Sequence, residues 1–106
     1  MALKELNDQN FKQELKAAGI AVVDVYAAWC GSCRLFASTF EASSNENPEF
    51  NYFKIDGDIN QEFAGTIEID NLPFVAVFKD GEYIGGKSTT KKEGLEGMIQ
   101  KIKEKL

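Results

Sequence analysis

Val22-Val23-Asp24-Val25-Tyr26-Ala27-Ala28-Trp29-Cys30-Gly31-Ser32-Cys33 is the stretch on which the reading of this chain turns. From Ile20 to Ala28 the sequence is apolar almost without a break, which suits a central strand buried on both faces, as in a parallel sheet. Asp24 is the exception. Beyond the cysteines, Leu35, Phe36, Thr39 and Phe40 resume helical spacing, so Cys30 and Cys33 lie where a strand hands over to a helix N-terminus. Ser43 to Pro48 reads as the polar exit loop of that helix.

Working outward, Asp8 reads as the N-cap of a first helix, with Phe11, Leu15 and Ala18 on one face and Gly19 just past its end. Downstream, Tyr52, Phe53 and Ile55 mark a second strand ended by Asp56-Gly57-Asp58, and Ile59 to Gly65 a short helix. Phe74 to Phe78 and Glu82 to Ile84 flank Asp80-Gly81, the signal of an antiparallel hairpin. Thr90 and Glu93 have capping-box spacing ahead of Leu95, Met98, Ile99, Ile102 and Leu106, which recur as an amphipathic helix should. A strand–helix–strand half followed by a hairpin and a helix implies an α/β fold, a central mixed β-sheet flanked by helices on both faces. No repeat, linker or low-complexity segment interrupts it, so residues 1–106 read as a single domain.

Twelve basic residues against seventeen acidic ones give a net charge of −5. Phosphate backbones and anionic membrane surfaces repel such a molecule on average, so neither nucleic acid nor membrane is an expected partner. The first residues, Met1 to Asp8, lack the apolar run of a signal peptide, and no stretch approaches the roughly 20 apolar residues of a membrane span; cytoplasmic residence is the expectation. The chain has two cysteines and no histidine. Imidazole-based nucleophilic catalysis and a standard four-ligand Cys/His zinc site therefore cannot be built within it.

The two cysteines admit three readings. As a structural staple they would close a loop so short that the chain-entropy effect is only roughly 2 kcal/mol. As metal ligands they would need carboxylates or a second chain to complete the site. As a redox pair they are well placed, because a cysteine at a helix N-terminus has its thiolate stabilised by unpaired N–H groups and the helix dipole. Cys30 is then the attacking thiol and Cys33, one turn deeper, the resolving one. Asp24, among valines, is either a satisfied buried polar group or a carboxyl whose desolvation makes it a proton carrier near neutral pH.

The segment from Val22 to Cys33 resembles the active-site strand and turn of the thioredoxin family. Asp24 falls where that family carries a buried aspartate, Lys54 matches its lysine near that acid, Leu72-Pro73 its cis-proline step, and Phe78-Lys79-Asp80-Gly81 its hairpin turn. The resemblance covers nearly the whole chain and implies the thioredoxin fold. It also implies a thiol-disulfide oxidoreductase that reduces protein disulfides through a redox-active Cys30–Cys33 disulfide, with no bound cofactor and no metal. Disulfide-containing target proteins and a thioredoxin reductase are the implied partners of a monomer. Asp24 would take a proton from Cys33 and Lys54 would tune it, the alternative for Lys54 being a solvated strand residue.

A cis bond before Pro73 would leave the Leu72 backbone N–H and C=O free to pair with an extended substrate segment, with Trp29 and Gly31 completing an apolar contact surface. Core packing is the alternative for Trp29, and a plain strand start for Pro73. The chain departs from the family pattern at Ser32 and Ser38, where prolines are usual, at Tyr26, where tryptophan is, and at Thr89, where glycine is. Ser32 bears on the redox poise and Thr89 on substrate choice. A binding or adaptor module of the same fold, without turnover, is the competing functional reading.

Overall fold

Val22, Val23 and Val25 are fully buried because the strand that holds them, β2 (Ile20–Tyr26), runs through the middle of the sheet. The computed structural model describes residues 3–105; Leu106, expected on the last helical stripe, lies outside them. Around β2 the elements are β1 (Lys4–Leu6), α1 (Phe11–Ala17), α2 (Gly31–Glu46), β3 (Asn51–Asp56), α3 (Gln61–Ala64), β4 (Phe74–Lys79), β5 (Glu82–Ser88) and α4 (Lys92–Lys105). The sheet order is β1-β3-β2-β4-β5, with β1, β3 and β2 parallel and β4 and β5 joining antiparallel.

The period of two along each strand sorts the side chains into two layers. Val23, Val25, Phe53, Ile55, Phe74 and Ala76 pack against Phe11 and Leu15 of α1 and Phe63 of α3. Val22, Tyr52, Val75 and Val77 pack against Phe36 and Phe40 of α2 and Leu95, Ile99 and Ile102 of α4. Asp24, two residues from Val22, therefore projects into the α2 layer. The hairpin turn between β4 and β5 has positive φ at both Asp80 (52°) and Gly81 (87°), as a two-residue primed turn requires. A Cβ on Gly81 would also come within 3.1 Å of the Lys16 backbone.

Four expectations are corrected. β1 was not anticipated: it is short, and Lys4 and Glu5 mask its pattern. Ser43 to Pro48 is not simply a loop, since α2 continues to Glu46; the Ser43 hydroxyl lies 2.9 Å from the Tyr52 hydroxyl and that of Ser44 donates to the Glu41 carbonyl, so neither buried serine is left unpaired. Thr90 lies two residues before the start of α4, and it is the Thr89 hydroxyl that accepts a hydrogen bond there, from Lys91 N–H. Asp8 does not cap α1, whose N-cap residue is Asn10.

Asp8 caps another helix. Its Oδ1 accepts from Phe63 N–H at 2.9 Å and its Oδ2 from Glu62 N–H at 3.3 Å, while its own N–H donates to Asn60 Oδ1 at 3.0 Å. The N-cap residue of α3, Asn60, makes no side-chain cap bond of its own. Across this junction Phe63 meets Phe11 edge-on, ring centres 5.2 Å apart. Replacing a capping side chain by alanine costs about 1 kcal/mol, so Asp8→Ala is expected to lower unfolding stability by about that amount in urea titrations and to speed amide exchange at Glu62 and Phe63. Unchanged exchange at those two amides would contradict the cap.

Candidate active site

An N-cap residue leaves helical geometry while its side chain turns back to the first-turn amides, and Cys30 does so with a thiol in place of the usual hydroxyl or carboxylate. Its backbone is extended (φ −88°, ψ 107°), and its Sγ accepts from Cys33 N–H at 3.2 Å. The Ser32 hydroxyl lies 3.4 Å from the same sulfur; since a disulfide sulfur has no proton, the hydroxyl donates. Cys30 and Cys33 are joined in a disulfide with their Cα atoms 5.3 Å apart. Both hydrogen-bond donors present positive partial charge to Cys30 Sγ, which favours a thiolate there once the bond is reduced.

The two sulfurs are not equivalent. Cys30 borders an open groove of about 820 Å³, and Cys33 does not. Cys33 is packed with Ala27 and flanked by Tyr26 and Leu72. Trp29 and Gly31 stand at the groove with Ile67, Ile69 and Leu72. Trp29 is 68% exposed, which rules out core packing for it.

The Leu72–Pro73 bond is cis, and the Pro73 side chain is buried, so Leu72 and not the proline ring lines the groove. The Leu72 N–H was expected to be free; it donates to Asn71 Oδ1 at 3.0 Å. That bond is exposed, so an incoming strand can exchange it for its own carbonyl at little cost. The loop beyond the hairpin touches the same spot, because Thr89 N–H donates to the Pro73 carbonyl at 3.3 Å.

Asp24 is 3% exposed, and its Oδ1 has no hydrogen-bond partner among the described residues. Burial pushes its carboxyl from 3.8 up to about 7; the Lys54 charge offsets part of this, and Glu5 adds to it. Asp24 and Lys54 are register partners on β2 and β3, so Lys54 is not simply a solvated strand residue. Cys33 and Phe36 are one turn apart on α2, and Phe36 packs on the β2 face that Asp24 shares with Val22, which puts Asp24 and Cys33 in the same layer. Among the described residues, no group of three or more His, Cys, Asp or Glu could hold a metal ion.

Sequence reading missed Asn71 and Glu5. Asn71 sits directly before the Leu72-Pro73 pair and was open to discovery, but Glu5 depends on β1, which the pattern did not reveal.

A disulfide at a helix N-terminus, beside a groove at the carboxyl end of β2, is the site of a thiol-disulfide oxidoreductase. The sequence model described as Thioredoxin matches residues 2–104. The thioredoxin of Bacillus subtilis strain 168 is 35% identical over 103 residues, covering 95% of this chain and 98% of its own. Among solved structures, mitochondrial thioredoxin 3 of Saccharomyces cerevisiae in oxidised form has a TM-score of 0.85 at 27% identity, covering 93% of this chain and 94% of its own. A chain in a complex of ferredoxin:thioredoxin reductase and thioredoxin f2 has a TM-score of 0.89 at 26% identity, covering 95% and 94%. The chain belongs to the thioredoxin family. It reduces protein disulfides through Cys30 and Cys33.

The elevated Asp24 value has a thermodynamic consequence. A carboxyl that holds its proton more tightly when folded destabilises the protein progressively as pH rises from 3.8, its unfolded value, to about 7, and no further above that. At 1.36 kcal/mol per unit the full effect is on the order of 4 kcal/mol. Asp24→Asn removes it, so the variant is expected to gain stability over the parent between pH 4 and pH 8. Parallel stability curves for the two proteins would contradict the buried acid.

Proposed function

We propose that Cys30 is the attacking thiol, Cys33 the resolving thiol and Asp24 the group that takes the Cys33 proton. The carrying observation is the Cys33 N–H bond to Cys30 Sγ at the start of α2, which favours charge on Cys30 and not on Cys33. The Cys30 thiolate attacks a target disulfide; a Cys30–target bond forms, and the first target sulfur leaves as a thiolate that takes a proton from water. Cys33 then gives its proton to the Asp24 carboxylate and attacks Cys30 Sγ. The Cys30–Cys33 bond forms, and the second target sulfur departs as a thiolate, protonated in turn. Two electrons pass from the dithiol to the target.

Trp29, Gly31 and Leu72 present the contact surface, Lys54 tunes Asp24, and Ser32 hydrogen-bonds the attacking sulfur. A separate thioredoxin reductase returns the disulfide to the dithiol, a role supported by the likeness to the thioredoxin f2 chain in complex with its reductase. We further propose that the protein works as a single domain and a monomer in the cytoplasm, where thiols are kept reduced, and carries electrons to disulfide-bearing proteins.

Reduction of a protein disulfide with dithiothreitol as electron source tests the cycle, and the cysteine variants test the roles. Cys33→Ser is expected to accumulate covalent mixed disulfides with the target and Cys30→Ser almost none. Trapping by Cys30→Ser equal to that by Cys33→Ser would overturn the assignment.

A further inference from the structure

Glu5, Lys54 and Asp24 form one rung across three adjacent strands: Glu5 pairs in register with Lys54, and Lys54 with Asp24. Neighbouring strands lie about 4.8 Å apart, so the lysine stands between two carboxylates. It makes its ion pair with the outer one. Lys54 Nζ is 3.9 Å from Glu5 Oε1, and among the described residues it has no such pair with Asp24. The other oxygen of Glu5, Oε2, accepts a 2.6 Å hydrogen bond from the Tyr26 hydroxyl. Lys54 Nζ also lies 5.9 Å from the centre of the Tyr26 ring. Tyr26 thus touches both members of the pair, the carboxylate through its hydroxyl and the cation through its ring.

We propose that Glu5, anchored by Tyr26, is a positioning residue that draws the Lys54 charge away from Asp24 and so keeps the buried carboxyl able both to take and to return a proton. This rests on the proton role given above to Asp24. Without Glu5, the ammonium would act on Asp24 alone and bias it toward the carboxylate, making it a weaker acceptor of the Cys33 proton. The charged groups that act on Asp24 are Lys54 from β3 and Glu5 from β1; its register partner on β4 is the apolar Val75, and Tyr26 follows two residues along its own strand. Burial and Glu5 hold the Tyr26 phenol well above its ordinary range, so it stays a neutral donor. Glu14, which pairs with Lys4 at 2.7 Å, belongs to a different ion pair and serves as a control.

The test follows the Asp24 carboxyl in reduced protein carrying 13C-labelled aspartate, together with the pH profile of mixed-disulfide resolution. Glu5→Gln is expected to lower the Asp24 midpoint by about 0.3 pH unit, the scale of one unit charge two strand spacings, roughly 10 Å, away in a watery surround. Lys54→Met is expected to raise it, and Glu14→Gln to leave it in place. Opposite signs for Glu5→Gln and Lys54→Met separate charge positioning from a general loss of structure, which would move both alike. A midpoint unmoved or raised in Glu5→Gln overturns the proposal. A resolution rate indifferent to Asp24→Asn would instead strike the proton role itself.

Discussion

One hydrogen bond organises the chemistry of this protein: the Cys33 amide donating to the sulfur of Cys30 at the first turn of α2. It exists because β2 ends at Tyr26 and the chain turns into a helix at Gly31, leaving Cys30 in extended geometry at the cap. First-turn amides of a helix lack partners within the helix, and a negative atom is the acceptor to which they donate best. A thiol at this position is therefore biased toward its nucleophilic form without a histidine, and the chain contains none. The same turn of helix that holds Cys30 at the cap carries Cys33 into the packed layer beneath it, so a single local geometry gives two identical residues different surroundings.

The sheet supplies what the helix cannot. A dithiol must lose protons to act, and water has little access to Cys33. The strand order brings β2 between β3 and β4, and the alternation along β2 sends Asp24 to the same side as α2, where burial raises its proton affinity into the working range. This placement costs stability at neutral pH. Such cost without a packing gain is expected where function, and not folding, selects the residue. The groove follows from the same frame: Ala64 at the end of α3, the helix that Asp8 caps, lines it together with Ile67, Ile69, Leu72 and Trp29.

Much of this was legible in the residues. The valine run predicted a central strand, Asp80-Gly81 the hairpin, and the two cysteines the handover into α2, because each is a local preference that the tertiary structure keeps. What was not legible depends on partners distant in sequence. Asp8 looks like a cap for the helix it precedes, yet it satisfies amides of α3, more than fifty residues on. Ser43 and Ser44 look like a loop until Tyr52 and the Glu41 carbonyl are seen to pair with them. Lys4-Glu5-Leu6 is too short and too charged to announce a strand, and with it the Glu5–Lys54 rung stays hidden. Pro73 sits with its ring buried, so at this step of the chain the groove is lined by Leu72 and Asn71.

The account stands on the claim that the N-terminus of α2 charges one sulfur and not the other. Titrating each thiol in the reduced protein, by rates of alkylation against pH with the modified residue located by mass spectrometry, measures this directly. Cys30 is expected to ionise below the value of about 8.5 for a free cysteine and Cys33, desolvated and without that help, above it. Two thiols titrating together at or above that value would contradict the account.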